Sequence, residues 1–164
     1  MKAWMKFAAA FYALSGAIGL FMAVRYWTAD QFMPYHAIVS GSSWESLTPG
    51  VQRFALGMLK IVSAGFLATS VTGLMLIAPV VRGEAWARRT ALAGQCALLV
   101  PLLYTTLSLR AATGAPMPVG ATATALALAI AAFIAAEMGA RQQSPGSQPR
   151  NRGVGIGAGQ RPSA

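Results

Sequence analysis

The sequence predicts an all-α fold: an integral membrane four-helix bundle with a structured outer first loop and a disordered C-terminal tail. Of the 164 residues, 55% are hydrophobic and only 10% are charged, whereas a soluble domain carries roughly 25% charged residues. Four charge-free runs have the length of about 17–25 residues that a bilayer requires. The charges lie between these runs, as expected for residues that flank membrane helices.

The four predicted spans cover 7–24, 61–81, 91–109 and 119–136. Together they place a transmembrane domain at 1–138. The first run is longer than the hydrophobic region of a cleaved signal peptide, so we expect a retained anchor.

The second helix is expected to begin before its membrane portion. Thr48 is a typical N-cap and Pro49 suits the first helical position. Gly83 is expected to end the helix just after Arg82. A helix of this length exceeds the roughly 30 Å of a bilayer core, so it should protrude on the outer side or tilt.

The segment 139–164 differs in composition from the rest of the chain. It has no acidic residue, four arginines and many glycines, prolines, glutamines and serines. Such a composition buries too little apolar area to fold, so we expect a disordered, basic, cytoplasmic tail.

The basic residues predict the orientation of the spans, because short cytoplasmic loops are enriched in Lys and Arg. With both termini cytoplasmic, the inner side carries more of them than the outer side. The inner set is Lys2, Lys6, Arg82, Arg88, Arg89, Arg141, Arg150, Arg152 and Arg161; the outer set is Arg25, Arg53, Lys60 and Arg110. We therefore expect a multi-pass protein of the cell inner membrane.

The outer loop, 25–50, holds two of the four acids and the only histidine. One interpretation is an aromatic belt at headgroup depth, with a short helix starting at Ser43. The other is a catalytic or metal-binding site in which His36 acts with a carboxylate. The candidate residues of that site are His36, Asp30, Glu45, Arg53 and Lys60.

The third span contains a mild polar seam. Gln95 and Thr106 are close to three helical turns apart and therefore share a face. Pro101 between them removes a backbone donor and favours a kink. The seam either binds the helices together by hydrogen bonds or lines a path for a solute.

Small residues recur at every fourth position in the other spans, which allows close helix packing in lipid. These rows are Ser15, Gly19 and Ala23; Gly65, Thr69 and Gly73; and Gly120 and Thr124. They predict a compact bundle and are compatible with a homo-oligomer or a larger membrane complex. The lipid bilayer is the expected environment, and the basic residues flank spans rather than forming a patch for nucleic acid.

No histidine or acid lies inside a span, and no nucleotide-binding or hydrolase motif occurs. No cofactor and no resident metal are predicted. In layout, residues 1–138 resemble the small bacterial four-span inner-membrane proteins of unknown function, with a longer outer first loop and a basic hairpin at 82–89. That resemblance rests on no diagnostic motif and assigns no functional residue.

Three functions are compatible with these observations. The first is a non-enzymatic accessory or complex-forming membrane component, which the small-residue rows favour. The second is a small-solute transporter or channel that uses the seam of the third span. The third is a membrane enzyme or metal-binding protein with its site in the outer loop.

Overall fold

The computed structural model describes residues 3–143, and all of their regular structure is helical. The helices are α1 (Ala3–Trp27), α2 (Pro34–Ser40), α3 (Pro49–Met75), α4 (Ile77–Val81), α5 (Ala85–Thr113) and α6 (Val119–Gln143), with a 3₁₀ turn at Trp44–Ser46. Four units are long and apolar enough to cross a membrane: α1, α3 with α4, α5 and α6.

Two predicted helix boundaries are confirmed. The Thr48 side chain accepts a hydrogen bond from the Val51 N–H at 3.5 Å, and Pro49 begins α3. At the far end, Gly83 has a φ of +85°, a left-handed conformation that glycine adopts without steric cost. The Glu84 N–H then bonds back to the Pro79 carbonyl at 3.1 Å and ends the helix.

A break between α3 and α4 was not predicted. Pro79 has no N–H, so the Met75 carbonyl loses its usual partner four residues on. The ladder resumes when the Val80 N–H bonds to the Leu76 carbonyl at 3.0 Å. In contrast, α5 continues as one helix through Pro101.

The predicted start of the tail at 139 is wrong, because α6 extends to Gln143. Gly139 is buried, and a Cβ added there would lie about 2.9 Å from Cγ of Met5. Contact with α1 therefore stabilises α6 beyond Glu137. Residues 144–164, and with them the expected disorder, lie outside the described residues.

The long helices form an antiparallel ring in which α1 packs against α3 and α6, and α5 packs against α6 and α3. The α3–α5 interface is the least extensive of these four. We call the end that carries residues 28–48 and 114–118 the loop end. The opposite end, where α1 begins, α6 ends and residues 82–84 form a turn, is the terminal end.

The closest interface joins α1 to α3. Gly19 contacts the Ser70 side chain so closely that a Cβ there would collide with its Oγ. A Cβ at Gly16 would lie 2.9 Å from Leu74. Near the loop end, the Ser63 hydroxyl donates to the Ala23 carbonyl of α1 at 2.6 Å. Small side chains therefore bring the two backbones together.

The small-residue rows have different partners from one another. The row on α1 faces α3, as Gly19 shows, but Gly65 and Gly73 of α3 face α5, where they approach Leu98 and Gln95. Gly120 and Thr124 of α6 are exposed. One predicted row therefore remains outside the interfaces of the bundle.

Replacing Gly19 by valine is expected to destabilise the bundle, because the added methyl groups would force α1 and α3 apart. Overpacking of this kind costs about 1–3 kcal/mol. Gly57→Val is the matched control, since it is also a helical glycine but has nothing within 4 Å of an added Cβ. Unfolding of the purified protein in mixed micelles measures both variants, and equal losses would contradict the close packing.

Candidate functional site

An apolar cavity of about 170 Å³ lies inside the loop end of the bundle. All four long helices contribute to its wall, and α2 covers it from the loop side. Its lining residues are Ile18, Met22, Tyr26, Tyr35, His36, Leu59, Val62, Phe66, Leu99, Leu102, Thr105, Thr106, Leu109, Met117, Pro118, Ala121, Thr122 and Ala125.

The position of α2 depends on a hydrogen bond at its first turn. Pro34 begins the helix, and the backbone N–H of Met33 donates to Nδ1 of His36 at 3.1 Å. Since Nδ1 accepts, the proton of the neutral ring is on Nε2. His36 therefore caps the helix whose side chains cover the cavity.

Aromatic contacts hold this covering segment together. Phe32 meets Trp44 edge-on at 5.0 Å between ring centroids and meets His36 edge-on at 6.0 Å. Tyr35 and His36 are 4.4 Å apart. The aromatic residues expected to form a lipid belt are Tyr26, Trp27, Phe32, Tyr35 and Trp44, and of these only Trp27 is exposed. The others pack within the protein.

Burial of the His36 ring lowers its pKa below the ordinary value of 6.5. Burial disfavours the charged imidazolium, because that form needs solvation which the surrounding rings do not supply. His36 is therefore neutral at pH 7, and its Nδ1 remains available to the Met33 N–H.

Two tyrosines meet at the top of the cavity. Their hydroxyl oxygens, from Tyr26 of α1 and Tyr35 of α2, are 2.7 Å apart. Tyr26 is buried and stacks on Phe66 of α3 at 6.0 Å. Burial, followed by the hydrogen bond to Tyr26, raises the pKa of Tyr35, so its hydroxyl stays protonated.

The threonine hydroxyls of the cavity wall bond to their own helices. Thr105 donates to the Pro101 carbonyl at 2.9 Å and Thr106 to the Leu103 carbonyl at 3.0 Å. Thr122 of α6 donates in the same way to the carbonyl of residue 118 at 3.2 Å. These hydroxyls have no proton left to offer a ligand.

The structure does not bring the predicted outer-loop residues together. Asp30, Glu45 and Arg53 are exposed and form no ion pair or hydrogen bond through their side chains within residues 3–143. Nζ of Lys60 lies 5.9 Å from the Trp27 ring centroid, at the edge of the bundle. Among the described residues, no group of three His, Cys, Asp or Glu could hold a metal.

The short helix expected at Ser43 is a single 3₁₀ turn. Ser43 is its N-cap, but its side chain makes no capping hydrogen bond. The turn is fastened instead by Gln52 of α3, whose Nε2 donates to the Trp44 carbonyl at 2.9 Å. This contact ties the loop to the first turn of α3.

Gln95 and Thr106 are both buried on one face of α5, as their spacing predicts. Pro101 is exposed on another face and does not line the main cavity. Gln95 Oε1 accepts a long hydrogen bond of 3.5 Å from Ser15 of α1. Of the three residues of the predicted seam, only Thr106 lines the main cavity.

Two further voids follow the main cavity towards the terminal end. A small one of about 20 Å³ shares Ile18, Phe66, Leu99 and Ala125 with it. A groove of about 190 Å³ between α3 and α5 then shares Thr69 and Gln95 with the small void. Gln95 thus lies between the cavity and the groove.

An ion pair at the terminal end was not predicted from sequence. Nε of Arg88 bonds to Oε1 of Glu137 at 2.7 Å, and Arg88 also donates to the Gly83 carbonyl at 2.6 Å. Only 7% of the Arg88 side chain is exposed, so this is an internal link between α5 and α6. The lone acid at the end of an apolar span was the available signal, but both charges also fit the pattern of residues that flank a span.

The hydrogen bond at His36 is expected to weaken as the pH falls. A histidine whose pKa is lowered by folding contributes stability that is complete above about pH 6.5 and is lost as the pH falls through the lower folded value. The protonated ring can no longer accept from Met33. Loss of this hydrogen bond, worth about 1 kcal/mol, should lower the protection of the Met33 amide against hydrogen exchange about fivefold.

Hydrogen exchange, corrected for its intrinsic pH dependence, measures this effect alongside an NMR titration of the His36 ring. The Val51 amide, which bonds to the Thr48 hydroxyl, is the control because its acceptor does not titrate in this range. Unchanged protection of Met33 between pH 7.5 and 4.5 would contradict the assigned role of His36.

Comparison with known proteins assigns neither a family nor a function to this chain. No protein-family model, no curated protein and no solved structure matches this chain.

Proposed function

We propose that the chain is a non-enzymatic, multi-pass protein of the inner membrane that binds a small uncharged ligand in the cavity at its loop end. The observation that carries this proposal is the cavity itself: an apolar space within the bundle with a separate helix across its outer side. Small-molecule sites are concave and mostly apolar, with a few placed polar groups.

The exposed surface supports insertion in a bilayer. Large apolar side chains point outward along every long helix, including Phe21, Leu67, Met75, Leu107 and Ile134. A soluble monomer rarely exposes such large contiguous apolar patches. In a bilayer, lipid tails cover these side chains and keep them from water.

The charges support an orientation with the loop end outside. Arg82, Arg88, Arg89 and Arg141 gather at the terminal end together with Lys6, and the short turn at 82–84 lies there too. Positively charged short loops favour the cytoplasmic side. Both termini are then cytoplasmic, and the cavity lies in the outer half of the membrane.

The size of the cavity limits the ligand. A dry, apolar cavity of about 150 Å³ is large enough for benzene, so a space of about 170 Å³ suits a molecule with one ring. Neither an acid nor a Lys or Arg side chain lines it. A charged ligand would therefore lose its hydration without gaining a partner.

Filling the cavity should abolish binding of a ring-sized probe. Ala125 is buried in the cavity wall, so Ala125→Leu places a larger side chain in the cavity. This variant is expected to bind ethylbenzene at least about tenfold more weakly in nanodiscs, which corresponds to about 1.4 kcal/mol. Ala127→Leu, an exposed position on the same helix, is the matched control. Calorimetric titration measures both variants; no binding to the unaltered protein, or equal binding to both variants, would refute the proposal.

The proposal includes association with a second copy or a larger membrane complex. Gly120 and Thr124 leave a flat, exposed strip on α6, which is the kind of surface on which membrane helices pair. Native mass spectrometry after extraction in mild detergent tests this part, and recovery of a lone monomer without any partner would contradict it.

The second candidate is a channel or transporter for a small uncharged solute. It is favoured by the two voids that continue from the cavity past Gln95 into the groove between α3 and α5. The intermediate void has room for about one water molecule, so the path is closed in this conformation.

If this path conducts, Gln95→Leu and Thr106→Val should each reduce glycerol flux into proteoliposomes severalfold. Ser108→Val is the control, since Ser108 is exposed on α5 and lines none of the three voids. Flux that is unchanged in both seam variants would remove the basis of the second candidate.

A further inference from the structure

The tyrosine pair at the top of the cavity has one hydroxyl proton more than it uses. Tyr26 and Tyr35 together carry two such protons, and a single hydrogen bond of 2.7 Å joins their oxygens. One proton lies in that bond. The other has no acceptor among the described residues, although both side chains line the cavity.

Among the described residues, the other polar groups around the cavity form no hydrogen bond with either tyrosine hydroxyl. The hydroxyls of Thr105, Thr106 and Thr122 are directed to backbone carbonyls of their own helices. Nδ1 of His36 already accepts from Met33, which leaves only the Nε2–H donor on that ring. The cavity therefore offers an unused tyrosine donor beside the Nε2–H of His36, in a wall whose other side chains are mostly apolar.

A partly buried donor without a partner is costly, whereas an acceptor with a spare lone pair costs less. A ligand that supplies an acceptor at this point removes the penalty. A ligand without one leaves it in place. The pair therefore distinguishes between molecules of the same size and shape.

We propose that the cavity takes a neutral, ring-sized molecule with one hydrogen-bond-accepting oxygen, of the aryl ketone or aryl ester class. That oxygen accepts the second proton of the Tyr26–Tyr35 pair while the ring lies among Ile18, Phe66 and Leu102. This inference rests on the proposed ligand-binding function and specifies its chemistry.

Acetophenone and ethylbenzene are suitable probes, because they have similar size and differ in the carbonyl oxygen. We expect the full chain in nanodiscs to bind acetophenone about 2- to 10-fold more tightly than ethylbenzene, the range set by one net hydrogen bond. Calorimetric titration of both probes gives this ratio directly.

The proton count makes a sharper prediction for variants. Tyr26→Phe or Tyr35→Phe alone leaves one hydroxyl with one proton, so each single variant should keep the preference for acetophenone. The double variant has no hydroxyl at either position, so its ratio of acetophenone affinity to ethylbenzene affinity should fall to one. Its ethylbenzene affinity should stay within about twofold of that of the unaltered protein. Phenylalanine keeps the ring of residue 26 on Phe66.

Three other binding results would each refute a different part of the proposal. Equal binding of both probes to the unaltered protein refutes the assigned ligand class but leaves ligand binding intact. A preference that survives in the double variant refutes the tyrosine pair as donor and transfers the role to Nε2–H of His36. Absence of binding for both probes refutes the proposed function as well.

Discussion

The close approach of α1 to α3 determines where the other helices lie. Gly16 and Gly19 lack the side chains that would hold the two backbones apart, and Leu74 and Ser70 of α3 occupy that space. Between membrane helices, packing of this kind provides much of the attraction, because lipid tails are as apolar as the side chains. With α1 and α3 joined, α6 packs on the other side of α1, and α5 completes the ring.

The two halves of the bundle differ because their side chains differ in size. At the terminal end, alanines from α5 and α6 surround Tyr12 and Val80 in one closely packed cluster. At the loop end, the corresponding cluster contains the larger side chains of Tyr26, Leu59 and Phe66. The cavity lies among these larger side chains.

Hydropathy and capping residues were sufficient to predict the long helices. The charge-free runs give their number and order, and Thr48, Pro49 and Gly83 give two of their limits. Pro79 and Gly139 show why other boundaries were missed: a break depends on one absent N–H, and the continuation of α6 depends on contact with Met5 of α1. Contacts between distant residues are not visible in local composition.

The candidate site was less predictable for the same reason. The ionisable residues of the outer loop are close in sequence, but their side chains do not converge. The tyrosine pair joins residues of two helices, and neither residue is unusual in its own segment. Glu137 directly follows the predicted span 119–136, yet it pairs with Arg88, 49 positions earlier. In both cases the pairing depends on which helix faces lie opposite each other, and charge-free runs leave that undetermined.

The small size of α2 has a consequence for access to the cavity. It has seven residues and none of them is fully buried, and its first turn contains one hydrogen bond to a histidine ring. Segments with few buried contacts open at a lower free energy than the rest of a protein. For the ligand binding proposed above, displacement of these seven residues, about two helical turns, opens the cavity while the four long helices keep their places. Exchange with the membrane then depends on the stability of α2, and retention depends on the cavity beneath it.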